Sequence, residues 1–216
     1  QSEGLVCNAL EFIYANGGDL IIDNQVVIDD TQGEQSLNYM YSLIKRGITP
    51  KYVTNASENI VVSEFVKGNA IFLRSWSAFN GLVTGKNSSV YGKVGISSLP
   101  YFQNQRSTPV SGGHQLAINK YSRHPEEAYK FISFLNSKEA QKYLSSHTAF
   151  IPSRKSVYTD PEVLKANPFL GEYYKEIIPN VKPRPLTPFY IMFSNILQSE
   201  FSAIISGIRS TKEGLK

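Results

Sequence analysis

One cysteine among 216 residues excludes a disulfide within the chain and a cysteine-based zinc site. Cys7 sits among Leu5, Val6, Ala9 and Leu10, the setting of a small buried hydrophobe. No apolar run reaches the ~18 residues needed to span a bilayer. Lys and Arg outnumber Asp and Glu by only 22 to 18 and form no run of five. With the aromatics mostly at helical spacing, this argues against a nucleic-acid partner. Histidine is scarce: His114, His124 and His147 pair with no other histidine or carboxylate at metal-ligand spacing, so no metal site is expected. The nucleophile elbow, the phosphate-binding loop, the zinc-protease helix and the dinucleotide fingerprint are all missing. Neither a catalytic residue nor a cofactor is expected, and the chain reads as a non-enzyme. A carbohydrate-active enzyme with two facing carboxylates is the alternative from another class. Glu126-Glu127 and Glu200, however, fit ordinary helix roles.

What is present describes a folded chain. Hydrophobic residues make up 41% and charged residues 19%, enough apolar mass for a core without covalent staples. The length allows one large domain or two small ones. Val6, Ala9, Leu10 and Ile13 recur at helical spacing, and Gly17-Gly18 supply a stop. Leu20 to Ile28 reads as two extended pieces about an Asp23-Asn24 turn. Thr31 and Glu34 fit a capping box for a second helix carrying Leu37, Met40, Tyr41 and Ile44, ended by Gly47. A third helix is predicted from Ser57 through Val61, Phe65 and Val66 to Gly68.

Strands are predicted at 70–73, 94–99 and 115–119, with Ser75 capping a helix through Phe79 and Leu82. Pro125 opens a helix whose face is Ala128, Phe131, Ile132 and Leu135, and Ser137 caps the next. Seven of the eleven prolines fall between Pro152 and Pro188, so that stretch reads as short helices and rigid turns. Thr187 and Pro188 are expected to open the longest helix, which Gly207 stops. A Ser210-x-x-Glu213 capping box follows three residues before the last, as if the natural chain continued. Strands and helices alternate, which predicts an α/β fold with more helix than strand.

Three places look built for a ligand. Trp76 follows a predicted strand, where open α/β sheets bind ligands, and a flat indole can stack on a sugar ring; a core role is the other reading. Gly112-Gly113, ahead of a predicted strand and followed by His114, let backbone approach a ligand; a plain turn serves equally. Lys182-Pro183-Arg184-Pro185 holds Arg184 in a stiff segment, and Tyr190 follows as an aromatic with a polar tip. The alternative there is a linker with a solvated arginine.

In order along the chain, several short motifs resemble extracellular solute-binding proteins of ABC transporters, in the maltose/trehalose-binding group. They are Glu3-Gly4-Leu5-Val6-Cys7-Asn8 with Glu11-Phe12, Asn16-Gly17-Gly18-Asp19, Phe65-x-x-Gly68-x-Ala70 leading to Trp76, Gly112-Gly113, Glu127-Ala128-x-x-Phe131-Ile132, Ile151-Pro152-Ser153-Arg154 and Arg184-Pro185-x-x-Pro188-x-Tyr190. The resemblance runs nearly the whole chain. It implies a two-lobed periplasmic-binding-protein-like (type II) fold, of which this chain is similar to the C-terminal portion. By the resemblance, residues 1–111 form the first part of the C-terminal lobe, 112–155 cross over and complete the N-terminal lobe, and 156–216 return as helices.

The implied function is capture of a di- or oligosaccharide in an interlobe cleft and delivery to permease subunits in the membrane. The implied location is extracytoplasmic, periplasmic or as a membrane-anchored lipoprotein. A polyamine or a glycerol phosphate is the alternative cargo. Trp76, Gly112, Gly113, His114, Arg184 and Tyr190 are the residues matched to ligand contacts, with Glu3 added for hydroxyl binding. His114 stands where relatives often carry tryptophan, and Ser2 where an aromatic is frequent, so the stacking surface is smaller.

Overall fold

A computed structural model describes residues 2–148 and 150–216. The chain runs through α1 (Glu3–Tyr14), β1 (Ile21–Ile22), β2 (Gln25–Val26), α2 (Thr31–Lys45), α3 (Glu58–Val66), α4 (Asn80–Thr84), α5 (Pro125–Leu135), α6 (Lys138–His147), α7 (Lys155–Tyr158), α8 (Pro161–Ala166), α9 (Phe169–Glu172), α10 (Tyr190–Ile205) and α11 (Thr211–Gly214). Residues up to 61, 98–111 and 180–216 form one compact unit; residues 62–97 and 112–179 form a second. These groupings follow packing and carry no lobe label.

The first unit is built on α1. Its apolar residues Val6, Ala9, Leu10 and Ile13 are fully buried, and Cys7 is nearly so. Helix α1 packs against α2 and α10, which also pack on each other. Leu37 from α2 and Phe201 and Ile204 from α10 complete the buried face. The β1–β2 hairpin turns on Asp23 and Asn24, both at positive φ, the conformation a two-residue turn of this hand requires. The cap of α2 differs from expectation. Asp30, not Thr31, is the N-cap, and its carboxylate accepts the Gly33 N–H at 2.7 Å. A carboxylate one residue earlier reaches the orphan donor first, so Thr31 becomes the first helical residue.

Helix α10 likewise starts at Tyr190 rather than at Pro188, with the Thr187 hydroxyl accepting the Phe189 N–H at 3.3 Å. The Ser210–Glu213 capping box is present, and it opens the single turn of α11.

In the second unit, Val62, Phe65 and Val83 form one apolar cluster with Leu73, Phe79, Val90 and Val94 around it. Val157, Tyr158, Val163 and Leu170 form another. The proline-rich stretch is a chain of short helical turns, as its spacing predicts. The expected strands at 70–73, 94–99 and 115–119 do not form. Those segments find no ladder partner among the described residues. A strand exists only where a neighbour accepts and donates its backbone hydrogen bonds, and apolar patterning cannot supply that neighbour. Ile71 and Phe72 are 86% and 90% exposed in consequence. The helix expected from Ser75 is a 3-10 turn at Ser77–Phe79 running into α4, without a side-chain cap. Helix α5 starts at Pro125 as predicted, yet none of its residues is fully buried and Phe131 is 60% exposed.

Candidate functional site

The first unit assembles a polar cluster around Glu3, and it does so from the strap 182–185. The Lys182 N–H donates to the Pro109 carbonyl at 2.8 Å, and the Lys182 carbonyl accepts the Ser111 N–H at 2.9 Å. The neighbouring Val110 N–H donates to the buried Glu11 carboxylate at 3.2 Å. Lys182 Nζ lies 2.5 Å from Asp19 Oδ2 and 4.0 Å from the centre of the Tyr14 ring. The strap is thus pinned at Lys182, and Pro183 and Pro185 fix φ on either side of Arg184. The guanidinium is delivered to the first residue of α1, where Arg184 Nη1 donates to Glu3 Oε1 at 2.6 Å. The reading of Arg184 as a solvated linker residue is therefore set aside.

Helix α10 supplies the other partners. The Tyr190 hydroxyl donates to Glu3 Oε1 at 2.5 Å, and the Ser194 hydroxyl donates to Glu3 Oε2. Gln198 Nε2 then donates to Ser194 Oγ at 2.9 Å. Tyr190, Ser194 and Gln198 lie four residues apart, so one helix face presents all three.

Burial raises the Glu3 carboxyl, but the hydrogen bonds from Ser194, Tyr190 and Arg184 together outweigh it and hold the group below its usual 4.5. The bond to Glu3 raises Arg184. Burial, then the bond to Glu3, pushes the Tyr190 hydroxyl up, so it stays a donor at neutral pH. Both charged side chains keep about a third of their surface in solvent. The result is a held guanidinium with N–H donors to spare, an acceptor carboxylate and a phenol ring 5.5 Å from the guanidinium carbon. That set can hydrogen-bond a polyhydroxylated ligand and offer it an aromatic face.

The second unit holds the other candidates. Trp76 is half-buried, outside the two apolar clusters, with the Arg74 guanidinium 4.3 Å from its ring centre. Gly112 lies against the indole: a Cβ there would stand 2.8 Å from Trp76 Cζ3. A side chain at 112 could enter only by displacing the indole; the φ there is not positive. Gly113 and His114 are exposed, and a Cβ on Gly113 would meet nothing within 4 Å. A depression of about 530 Å³, lined by residues including Asn80, Tyr91, His147 and Phe169, takes in none of the candidate residues.

The structure thus brings Glu3, Arg184 and Tyr190 together, and Trp76 with Gly112, and leaves Gly113 and His114 open to solvent. Sequence reasoning missed Ser194 and Gln198. The signal was available: Tyr190, Ser194 and Gln198 carry polar atoms at four-residue spacing on one face of the helix. Among the described residues no group of His, Cys, Asp or Glu could hold a metal ion.

Residues 2–142 match the family model described as bacterial extracellular solute-binding protein. A probable ABC transporter-binding protein of Deinococcus radiodurans is 31% identical over 206 residues, covering 94% of this chain and 49% of its own length. Maltose-bound MalE3 of T. maritima superposes with a TM-score of 0.93 at 34% identity, over 99% of this chain and 55% of that one. A solute-binding protein of Agrobacterium radiobacter, solved with ribitol, superposes with a TM-score of 0.84 at 23% identity, over 100% of this chain and 55% of that one. The chain therefore has the fold of these binding proteins over the part it spans, about half of their length.

Proposed function

The chain belongs to the bacterial extracellular solute-binding protein family, and from that premise we propose that it is the substrate-binding component of an ABC sugar importer, capturing a di- or oligosaccharide for delivery to permease subunits. The observation that carries this reading is the Glu3–Arg184–Tyr190–Ser194 cluster. It combines directional donors and an acceptor beside an aromatic ring, the composition that fixes a sugar's hydroxyls and covers its apolar face. The likeness to maltose-bound MalE3 supports a saccharide as cargo. The family is extracellular, and we place the protein outside the cytoplasmic membrane, periplasmic or as an anchored lipoprotein. It is a family of binding proteins, and the proposed role makes and breaks no bond.

Trp76, Gly112, Gly113 and His114, all within the second unit, are proposed as further ligand-contact residues. By the same family likeness we assign residues 1–111 to the first part of the C-terminal lobe, 112–155 to the crossover that completes the N-terminal lobe, and 156–216 to helices returning to the C-terminal lobe.

Thermal unfolding of the protein with maltose, maltotetraose, trehalose and spermidine tests the reading, because a ligand that binds the folded state raises the melting temperature. A rise with one saccharide and none with spermidine is expected. A rise with spermidine alone overturns the carbohydrate assignment. In the saccharide that binds, Trp76→Ala is expected to weaken affinity by about 1–3 kcal/mol, the scale of burying one large apolar side chain; unchanged affinity in a folded variant removes Trp76 from the contacts.

A further inference from the structure

We propose that Glu3 determines charge selectivity: by cancelling Arg184 it makes the cluster accept uncharged polyhydroxyl ligands and reject anions. The inference rests on the reading of this cluster as the ligand site. Arg184 is the cation a phosphate or carboxylate would seek, since a guanidinium matches both in two-point geometry. Here that cation is already engaged, with Nη1 2.6 Å from Glu3 Oε1. The carboxylate is itself held by three donors, Arg184, Tyr190 and Ser194, so it is not free to swing aside. The same cancellation recurs two residues earlier on the strap, where Lys182 Nζ meets Asp19 Oδ2 at 2.5 Å. Two strap cations are therefore each matched by a carboxylate, and these four groups sum to no net charge.

An incoming anion would gain no net attraction and would meet the Glu3 charge at close range. A neutral hydroxyl meets no such penalty. It can accept from the guanidinium N–H groups that Glu3 leaves unused and donate to a remaining carboxylate lone pair. Selectivity then comes from a repulsive element built beside the attractive one. The polar residues that position the carboxylate, Ser194 and Gln198 among them, serve this end by keeping it ionised and in place.

The test compares the wild-type protein with Glu3→Gln, which keeps the side chain's size and an acceptor oxygen but removes the charge. Inorganic phosphate and maltose are the probes, titrated by calorimetry at an ionic strength held constant with sodium chloride. Phosphate is expected to bind Glu3→Gln about tenfold or more tightly than wild type, the scale of one charge-assisted hydrogen bond. Adding Arg184→Gln to that variant is expected to abolish the gain. Equal phosphate affinity in wild type and Glu3→Gln overturns the proposal. Should Glu3→Gln not fold, Arg184→Gln alone carries the test: it leaves the carboxylate uncompensated, and a gain in spermidine affinity is expected, while no gain overturns the proposal. Absence of any maltose heat in wild type counts against the saccharide reading and leaves the phosphate comparison to decide charge selectivity.

Discussion

Glu3 shows how far a single residue's role depends on its neighbours. As a sequence position it is the first-turn acid of a helix, a common place for a carboxylate to meet the helix dipole. Apart from the weak Cys7 thiol contact one turn on, its partners lie at positions 184, 190 and 194, beyond any local pattern. Because its folded pKa is depressed below the usual 4.5, its ionised form stabilises the fold above that ordinary value, and this contribution disappears as the pH falls through the depressed one. We therefore expect wild type to exceed Glu3→Gln in stability by about 1 kcal/mol at pH 7, a hydrogen-bonded ion pair discounted for solvent. The gap should stay level down to about pH 5 and close below that, as followed by urea denaturation. A gap that widens in acid would contradict the assignment.

Gly112 gives a second residue-scale prediction. Trp76 is the single tryptophan, so fluorescence reports on it alone. Gly112→Ala places a Cβ where the indole now lies and is expected to shift the emission maximum, while Gly113→Ala, opening onto free space, leaves it unchanged. Arg184 and Tyr190 were legible as candidates because prolines and a phenol announce themselves in sequence. Ser194 is one of three serines on α10 and stands out only when Tyr190 and Gln198, four residues to either side, are counted with it.

Elements were legible where their signals are local. Helices α1, α2, α5, α6 and α10 follow their apolar spacing, and Gly17, Gly47, Gly68 and Gly207 all end helices at positive φ. Boundaries moved where two capping groups competed. At α2 the competition is testable: Asp30→Ala is expected to cost about 1 kcal/mol, and Thr31→Ala to stay within about 0.5, in chemical denaturation. The reverse order would restore Thr31 as the cap. The strands at 70–73, 94–99 and 115–119 failed for a different reason. A helix closes its hydrogen bonds within itself; a strand borrows them from another segment.

The molecule as a whole carries apolar surface that its helices do not cover. In the second unit Ile71, Phe72, Leu116, Tyr129, Phe131 and Phe134 are all more than half exposed. Exposed apolar side chains of this size bind hydrophobic dyes. Phe131→Ser with Phe134→Ser is expected to lower the fluorescence of bound anilinonaphthalene sulfonate while changing stability by no more than about 0.5 kcal/mol per site, since neither ring is buried. A large loss of stability would mean that these rings support the core.

By itself the sequence determined the helices, the hairpin turn, the buried stripe of α1 and, through ordered short motifs, the family. These rest on contacts within a few residues or on spacing that survives without coordinates. Tertiary structure alone decided that Glu3 meets Arg184, Tyr190 and Ser194, that Trp76 rests on Gly112, and that three expected strands find no partner among the described residues. Each of those outcomes depends on which distant segments become neighbours, and neither side-chain periodicity nor composition encodes that choice.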